Sequence, residues 1–324
     1  LAGPYGDFII QTDEAIGQVV KALKNSGVYE NTLLIISSDN GPAPFMRERI
    51  QTHGHNPSGP LRGLKRDLLE GGHRVPFNAS WPKGEIIEVY PHAWLEPADV
   101  AAFMAESTAS ALVDAQGAEL MLRSGATGPV CRAQGSFLLR FAWNLLVANE
   151  RALKLRTDWQ NQGECHASLY VDGRLSVGPG TRILPGVVIE GDVVIGAGCK
   201  VGPNCYVRGS TSVGNGCHVG QAVELKNSVL LDKTNVGHLS YVGDSVLGEK
   251  VNFGAGTMIS NLRHDGRPHR SMVAGELIDT GRRKFGAIIG DGVHTGIHTS
   301  IYPGRKIWPG LTTRPADIVD RDLV

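Results

Sequence analysis

The sequence predicts a mainly β protein whose larger part is a parallel β-solenoid built from six-residue repeats. Many of these repeats read aliphatic-Gly-x-x-small-x, as in "IGAGCK" and "VGNGCH". Such periodicity is typical of a solenoid in which each short strand contributes one inward aliphatic side chain. Glycine is abundant, at 42 residues, and aromatic residues make up 6% of the chain, which favours a turn-rich repeat over an average globular core.

The repeat is defined by aliphatic residues at every sixth position. These positions are Val177, Ile183, Ile189, Ile195, Val201, Val207, Val213, Val219, Leu225 and Leu231. Position 237, the next in the series, is glycine, so the pattern departs from its phase inside "NVGHLSYVGD". Glycines and Asn204 fall at the corners, where left-handed or tight turns are needed.

We divide the chain into four segments on these patterns. They are a partial α/β segment over 1–88, a small α+β connector over 89–165, the solenoid over 166–314 with an inserted loop at about 260–285, and a C-terminal tail over 315–324.

Composition narrows the possible partners and compartment. The formal net charge is zero and no polybasic run occurs, so we expect neither a nucleic-acid nor a membrane partner. The five cysteines form no CxxC pair, which argues against a disulfide framework or a structural zinc site. Cys199, Cys205 and Cys217 share one phase of the repeat, so we expect core thiols and a reducing, cytoplasmic compartment.

The first segment has an α/β pattern. Apolar residues at helical spacing from Ile16 to Leu23 predict an amphipathic helix, and "ENTLLIISSDNG" predicts a buried parallel strand. Asp39 and Asn40 then lie at the carboxyl end of that strand, where α/β folds place their sites.

Together, "SSDNG", "LRGLKRDLLEGGHRVP" and "WP" resemble the sulfatase family. The resemblance implies that Asp39 and Asn40 bind calcium and that Lys65 contacts the sulfate. Sulfatases also need a formylglycine made from the first residue of a C/S-x-P-x-R motif near the start of the domain, and no such motif precedes "SSDNG". Two oxygen ligands alone do not hold calcium, and without the nucleophile no covalent step is available. We therefore expect 1–88 to be a truncated, inactive sulfatase-like fragment with a vestigial metal site.

The connector shows no motif with chemistry. "PADVAAFMAES" predicts a helix start at Pro97, "ALVDAQGAELM" predicts a hairpin, and "FLLRFAWNLLVANERALK" predicts a second helix. We expect a packing module, or a cap at the start of the solenoid.

Polar residues gather where the repeat leaves its phase. His238 and Tyr241 lie in "NVGHLSYVGD", and an arginine-rich loop follows at about 260–285. Upstream, Arg208 and Lys226 are one coil of three repeats apart, so we expect them to stack about 4.8 Å apart, the spacing of paired strands. Two stacked cations suit a phosphate group.

The stretch "VELKNSVLLDKTNVGHLSYVGDSVLGEKVNFGAGTMISN" resembles the acetyltransferase half of bifunctional N-acetylglucosamine-1-phosphate uridyltransferases. It resembles even more closely the archaeal-type sugar-1-phosphate nucleotidylyltransferases that carry an amino-sugar-1-phosphate acetyltransferase domain. The resemblance implies a left-handed β-helix of the hexapeptide-repeat acyltransferases, acetyl-CoA as co-substrate, a sugar phosphate as substrate, a homotrimer, and no metal for acetyl transfer.

The resemblance also implies roles for particular residues. His238 is the catalytic general base, and a histidine that titrates near neutrality can accept the proton of an attacking amine. The implied substrate ligands are Arg208 and Lys226 for the sugar phosphate, with Tyr241 and Asn252 for the sugar. The implied acetyl-CoA ligands are Asn261 beside the acetyl group, with Arg267, where the family often has lysine, and Arg270 in the basic loop. His294 and His298 are further candidates for the CoA groove.

Four other functions stay open on the sequence. The same solenoid serves O-acyltransferases and acyltransferases that use acyl carrier protein, and a drifted site would leave a structural or regulatory solenoid. A γ-class carbonic anhydrase needs three histidines from adjacent coils and subunits. His218 and His238 are 20 positions apart, which is not a multiple of the 18-residue coil.

Overall fold

Short parallel strands, stacked one coil above another, make up most of the structure, which is a computed structural model. It describes residues 87–90, 92–123 and 125–324. All of these belong to one compact unit, Glu85–Val324. The residues proposed for the vestigial sulfatase-like site, Asp39, Asn40 and Lys65, lie outside the described residues.

The elements of the described part follow in chain order. They are β1 Ile87–Val89, β2 Ala93–Trp94, α1 Pro97–Ala105, β3 Ala111–Val113, β4 Glu119–Arg123, β5 Val130–Arg132, β6 Phe137–Leu138, α2 Asn144–Leu155, β7 Glu164–Cys165, β8 Tyr170–Val177, β9 Arg182–Ile183, β10 Val188–Ile195, β11 Lys200–Val201, β12 Tyr206–Arg208, β13 Thr211–Val213, β14 His218–Gln221, β15 Glu224–Lys226, β16 Val229–Leu230, β17 Asn235–His238, β18 Tyr241–Gly243, β19 Val246–Leu247, β20 Asn252–Phe253, β21 Met258–Ile259, β22 Arg270–Val273, β23 Glu276–Asp279, β24 Ala287–Ile289, β25 Ser300–Ile301, β26 Arg305–Ile307 and β27 Ile318–Val319.

The solenoid strands form three parallel ladders, which we call the first, second and third faces. The first face runs β12–β15–β18–β21–β25–β27 and the second runs β13–β16–β19–β24–β26. Strand β10 is long enough to pair with β12 through its first half and with β13 through its second half, so it joins these two faces. The third face runs β20–β17–β14–β11–β9–β7. The structure is therefore the parallel β-solenoid that the repeat predicted.

One inward side chain from each strand fills the solenoid core. Ile189, Val207 and Leu225 pair in register and are at most 1% exposed. Cys199, Cys205 and Cys217 are buried in the same core, as their shared phase indicated. Asn204 has a φ of +54°, the left-handed corner that its position predicted.

The repeat changes phase one turn earlier than the sequence pattern indicated. Leu230 is 1% exposed, whereas Leu231, the expected inward residue, is 39% exposed. Val213 pairs with Leu230, 17 positions on, so this coil is one residue shorter than the coils before it. The prediction for Leu231 was wrong because two adjacent leucines both fit the repeat. The following inward residue is Val236, so Gly237 is a strand residue of β17 rather than the point of departure.

The solenoid is longer than predicted at both ends. Strand β7 pairs with β9. At the other end β27 pairs with β25, and Leu323 forms a bridge with Ile307. Residues 315–324 thus continue the stack instead of forming a tail. The inserted loop contains an antiparallel hairpin of β22 and β23.

The connector folds beside the solenoid. Strands β3 and β4 form the predicted hairpin within the sheet β1–β4–β3–β5, which packs with α1 around Phe103, Leu112 and Leu120. Residues Phe137–Leu138 form β6, which pairs with β2, so the second helix starts only at Asn144.

Helix α2 lies against the side of the solenoid rather than over its first coil. Trp143, at the start of the helix, makes an edge contact with Phe285 at 6.0 Å between ring centroids. Leu146 and Val246 complete the same buried cluster. No helix in the described part of the chain is long and apolar enough to cross a membrane.

Candidate active site

The two predicted ligands of the sugar phosphate stack on the first face. Arg208 on β12 pairs in register with Lys226 on β15, as their spacing predicted. The next residue in this column is Gly243 on β18. A Cβ atom at position 243 would lie 2.5 Å from the Tyr241 Oη and 2.6 Å from the Asn261 Nδ2. A side chain at position 243 would therefore have to displace two other predicted site residues.

Each of the two cations has a carboxylate partner, which the sequence reasoning did not anticipate. The Arg208 guanidinium donates to the Glu224 carboxylate at 2.7 and 2.9 Å. The Lys226 Nζ donates to Asp244 Oδ2 at 2.9 Å. The column is thus locally balanced in charge, and a phosphate would share these cations with carboxylates.

Asp244 is the residue that ties the cluster together. It is 3% exposed and accepts hydrogen bonds from Lys226 and from the Nδ2 atoms of Asn261, at 2.6 Å, and Asn227, at 3.1 Å. Arg282 lies 3.9 Å away. Sequence reasoning gave Asp244 no role, although it ends the motif H-L-x-Y-x-G-D.

A corner position on the first face carries a signal that could have marked Asp244. Gly209, Asn227 and Asp244 follow one another on successive coils, each with a φ between +49° and +68°. Glycine and asparagine are ordinary residues at such corners, whereas a buried aspartate there needs donors around it.

Tyr241 and Asn261 form a pair beside Asp244. The Asn261 Nδ2 donates to the Tyr241 hydroxyl at 3.0 Å. Burial, together with the nearby carboxylates of Glu224 and Asp244, raises the pKa of Tyr241 above its usual value. The hydroxyl therefore stays protonated at neutral pH and can donate a hydrogen bond in turn.

His238 lies at the corner between the third and first faces. It ends β17 and is exposed, and Leu239, with a φ of +49°, turns the chain toward β18. The backbone is held, since the His238 carbonyl accepts from the Ser240 hydroxyl at 2.7 Å and from the Gly256 N–H at 3.2 Å. The imidazole has no hydrogen-bond partner among the described residues, so it is free to meet a ligand.

Asn252 lies on the third face, away from the Arg208–Lys226 column. It pairs with Asn235, which pairs with His218, and on the other side it bridges His294. Burial lowers the pKa of His218, with a further contribution from Lys200. The structure therefore places Asn252 on the third face, beside strand β17, which ends at His238, and places Tyr241 on the first face.

The predicted acetyl-CoA arginines are not part of the Asp244 cluster. Arg267 and Arg270 are exposed on the inserted loop, and Arg270 opens the hairpin at β22. A different residue of this loop, Arg282, reaches the cluster. His294 and His298 are exposed on the later coils. Within the described ranges, no three His, Cys, Asp or Glu side chains are grouped closely enough to hold a metal ion.

The connector contributes to the site, although we expected only packing from it. Glu150 on α2 accepts from Arg282 Nη2 at 2.7 Å and from Asn227 Nδ2 at 2.8 Å. Both donors also face Asp244. A helix from outside the solenoid thus fixes the position of two side chains that line the cluster.

Comparisons with known proteins find matches both for the first segment and for the solenoid. A family model described as the GMPPB C-terminal domain matches residues 189–309, and the sulfatase model matches residues 1–88. The C-terminal part of the chain is homologous to acyltransferases.

More particularly, the homologues are bifunctional sugar-phosphate enzymes. A bifunctional sugar-1-phosphate nucleotidylyltransferase/acetyltransferase of Sulfurisphaera tokodaii is 42% identical over 181 residues, which are 56% of this chain and 45% of that protein. The bifunctional protein GlmU of Methanococcus aeolicus is 38% identical over 185 residues, 56% of this chain and 44% of that protein. The chain therefore spans less than half the length of these relatives.

Among solved structures, the polysialic acid O-acetyltransferase OatWY matches at 18% identity with a TM-score of 0.25, covering 50% of this chain and 79% of that chain.

The sulfatase match confirms the resemblance of the first segment. One string of the form S-x-P-x-R does occur in it, Ser58 to Arg62, but after "SSDNG" rather than before it. It lies outside the described residues.

Proposed function

We propose that this chain is an acetyl-CoA-dependent N-acetyltransferase that acts on an amino-sugar 1-phosphate of the glucosamine 1-phosphate type. The observation on which the proposal rests is the free imidazole of His238 at a solenoid corner, followed on the next face by the cluster of Lys226, Tyr241 and Asn261. Homology to enzymes named as acetyltransferases supports it.

In this mechanism His238 is the general base. The neutral nitrogen of the sugar amine attacks the thioester carbonyl carbon of acetyl-CoA, a C–N bond forms, and the C–S bond breaks to release CoA. The imidazole takes the proton that the nitrogen loses. General-base catalysis of this kind contributes about 10²–10⁴-fold to the rate.

The first-face column provides the binding site for the sugar phosphate. Arg208 and Lys226 present guanidinium and ammonium donors in adjacent coils, and the phosphate shares them with Glu224 and Asp244. The raised pKa of Tyr241 keeps its hydroxyl available to a sugar oxygen. Asn252 contacts the sugar from the third face, and Arg267 and Arg270 bind the phosphates of CoA. We also propose a homotrimer, in which a neighbouring copy lies against these faces.

The experiment that tests this function is release of CoA thiol from acetyl-CoA in the presence of glucosamine 1-phosphate. We expect wild-type protein to release CoA, and His238→Ala to lower kcat about 100-fold or more. The matched control is His166→Ala, an exposed histidine in the first coil whose ring contacts Ser168. No CoA release with any hexosamine phosphate would overturn the proposal, and release with a 2-hydroxy sugar phosphate in place of the amine would indicate an O-acyltransferase.

A further inference from the structure

Asn261 is held in one orientation by its two neighbours. Its amide has two N–H groups. One is directed to the Tyr241 hydroxyl at 3.0 Å and the other to Asp244 Oδ2 at 2.6 Å. A carboxylate can only accept, so the nitrogen of Asn261 must face Asp244, and the carbonyl oxygen faces the other way. That oxygen has no hydrogen-bond partner among the described residues.

Asp244 holds Lys226 with the same oxygen. Its Oδ2 accepts from Lys226 Nζ and from Asn261, while Oδ1 accepts from Asn227. The three donors around residue 244 are therefore satisfied only if both of its side-chain oxygens are acceptors. An asparagine in its place would turn one NH₂ group toward a donor, whichever way its amide lay.

The surroundings fix Asp244 in turn. Its own N–H donates to the Lys226 carbonyl at 2.8 Å, and its carbonyl accepts from the Gly286 N–H at 2.8 Å. Glu150 of α2 holds Asn227 and Arg282 against it. The carboxylate thus has a single position, set by two coils, the inserted loop and the connector.

We propose that Asp244 is a positioning residue for acetyl transfer. It fixes the Asn261 amide so that the side-chain carbonyl oxygen of Asn261 is presented to the substrates as an acceptor. It also holds the Lys226 ammonium beside the sugar-phosphate site. This inference rests on the proposed function. Asn261 accordingly accepts a hydrogen bond from a substrate N–H or O–H, and it does not serve as a donor to the oxyanion of the thioester.

One substitution at each of the two side chains tests this. Asp244→Asn lowers kcat/KM for glucosamine 1-phosphate at least about tenfold, because a hydrogen bond to a charged group is lost. Asn261→Asp does the same, because two carboxylates then face each other. The matched control is Asp192→Asn, which breaks the Arg174–Asp192 ion pair at a position three coils before Asp244.

All variants are compared at a temperature where circular dichroism shows them folded, because a merely structural role would lower stability and leave kcat/KM of the folded protein unchanged. A folded Asp244→Asn or Asn261→Asp variant within twofold of wild type would overturn the inference while leaving the proposed function intact.

A second readout covers the case in which wild-type protein forms no product. Calorimetry then compares the binding of glucosamine 1-phosphate to wild-type and Asp244→Asn protein. A Kd at least about tenfold weaker for the variant supports the positioning role even though the proposed reaction has failed. An unchanged Kd, or no binding by wild type, overturns the inference.

Discussion

Replacing Asp244 by alanine should destabilise the solenoid far more than breaking an exposed ion pair does. The side chains of Asp244 and Lys226 are 4% and 15% exposed, and their charged atoms are 2.9 Å apart. Asp244→Ala leaves the Lys226 ammonium shielded from water without its partner, and Arg282 loses a carboxylate at 3.9 Å. Removing one partner of a buried pair costs about 3–5 kcal/mol in free energy of unfolding.

The companion variants give this expectation its scale. Lys226→Met keeps the aliphatic stem and leaves Asp244 with the amide donors of Asn261 and Asn227, so we expect a smaller loss, about 1.5–3 kcal/mol. Asp192→Ala breaks a pair whose side chains are 42% and 24% exposed, and should cost less than about 1 kcal/mol.

Urea unfolding followed by tryptophan fluorescence and by circular dichroism measures all three losses. We expect the order Asp244→Ala, then Lys226→Met, then Asp192→Ala. A loss of less than about 1 kcal/mol for Asp244→Ala, equal to that of the exposed pair, would refute the view that Asp244 is a buried, satisfied carboxylate at the centre of the cluster.

Three further outcomes are expected. Trp143→Ala removes the side chain that packs on Phe285 and should lower the free energy of unfolding in urea by about 3–5 kcal/mol. Leu155→Ala, at a half-exposed position of α2, should lower it by less than about 1 kcal/mol. Equal losses would contradict the docking of the helix. Arg208→Gln should raise KM for glucosamine 1-phosphate about 10–100-fold and leave KM for acetyl-CoA nearly unchanged. The control is Arg182→Gln on the third face, which should change neither KM. Equal effects of Arg208→Gln on both substrates would contradict a phosphate role. Burial lowers the pKa of His269, which faces Arg263, Arg305 and Asp265 and whose ring contacts the backbone carbonyl of Asn261. Because the unfolded chain binds the proton more tightly, the stability from this group is complete above the unfolded pKa of about 6.5 and falls as the pH drops below it. His269→Asn should flatten this dependence in urea titrations at several pH values. An unchanged slope would count against it.

The six-residue period was sufficient to predict the solenoid because it reports a physical requirement, one inward side chain per short strand. The same arithmetic predicted that Arg208 and Lys226 stack, and that Cys199, Cys205 and Cys217 are buried. Asn204 was predictable at its corner because asparagine tolerates a positive φ.

The phase of the repeat could not be read where adjacent residues were both aliphatic. Leu230 and Leu231 satisfy the pattern equally, and only the 17-residue coil decides between them. For that reason the sequence pointed to Gly237 as a break, when the chain had already shifted phase.

The partners of the site were out of reach for a different reason. Glu150 contacts Asn227 from 77 positions away, and no periodicity connects a helix to a solenoid corner. Asp244 was visible in the motif, but a buried carboxylate is recognised by its donors, and those come from two separate coils and a loop.

We propose that acetyl transfer to a sugar nitrogen takes place beside His238. The most direct measurement is nuclear magnetic resonance of the products formed from isotope-labelled acetyl-CoA and glucosamine 1-phosphate. We expect wild-type protein to place the labelled acetyl group on the sugar nitrogen and folded His238→Ala to do so at least about 100-fold more slowly. A wild-type reaction without N-acetylated sugar, or an undiminished rate in His238→Ala, would contradict it.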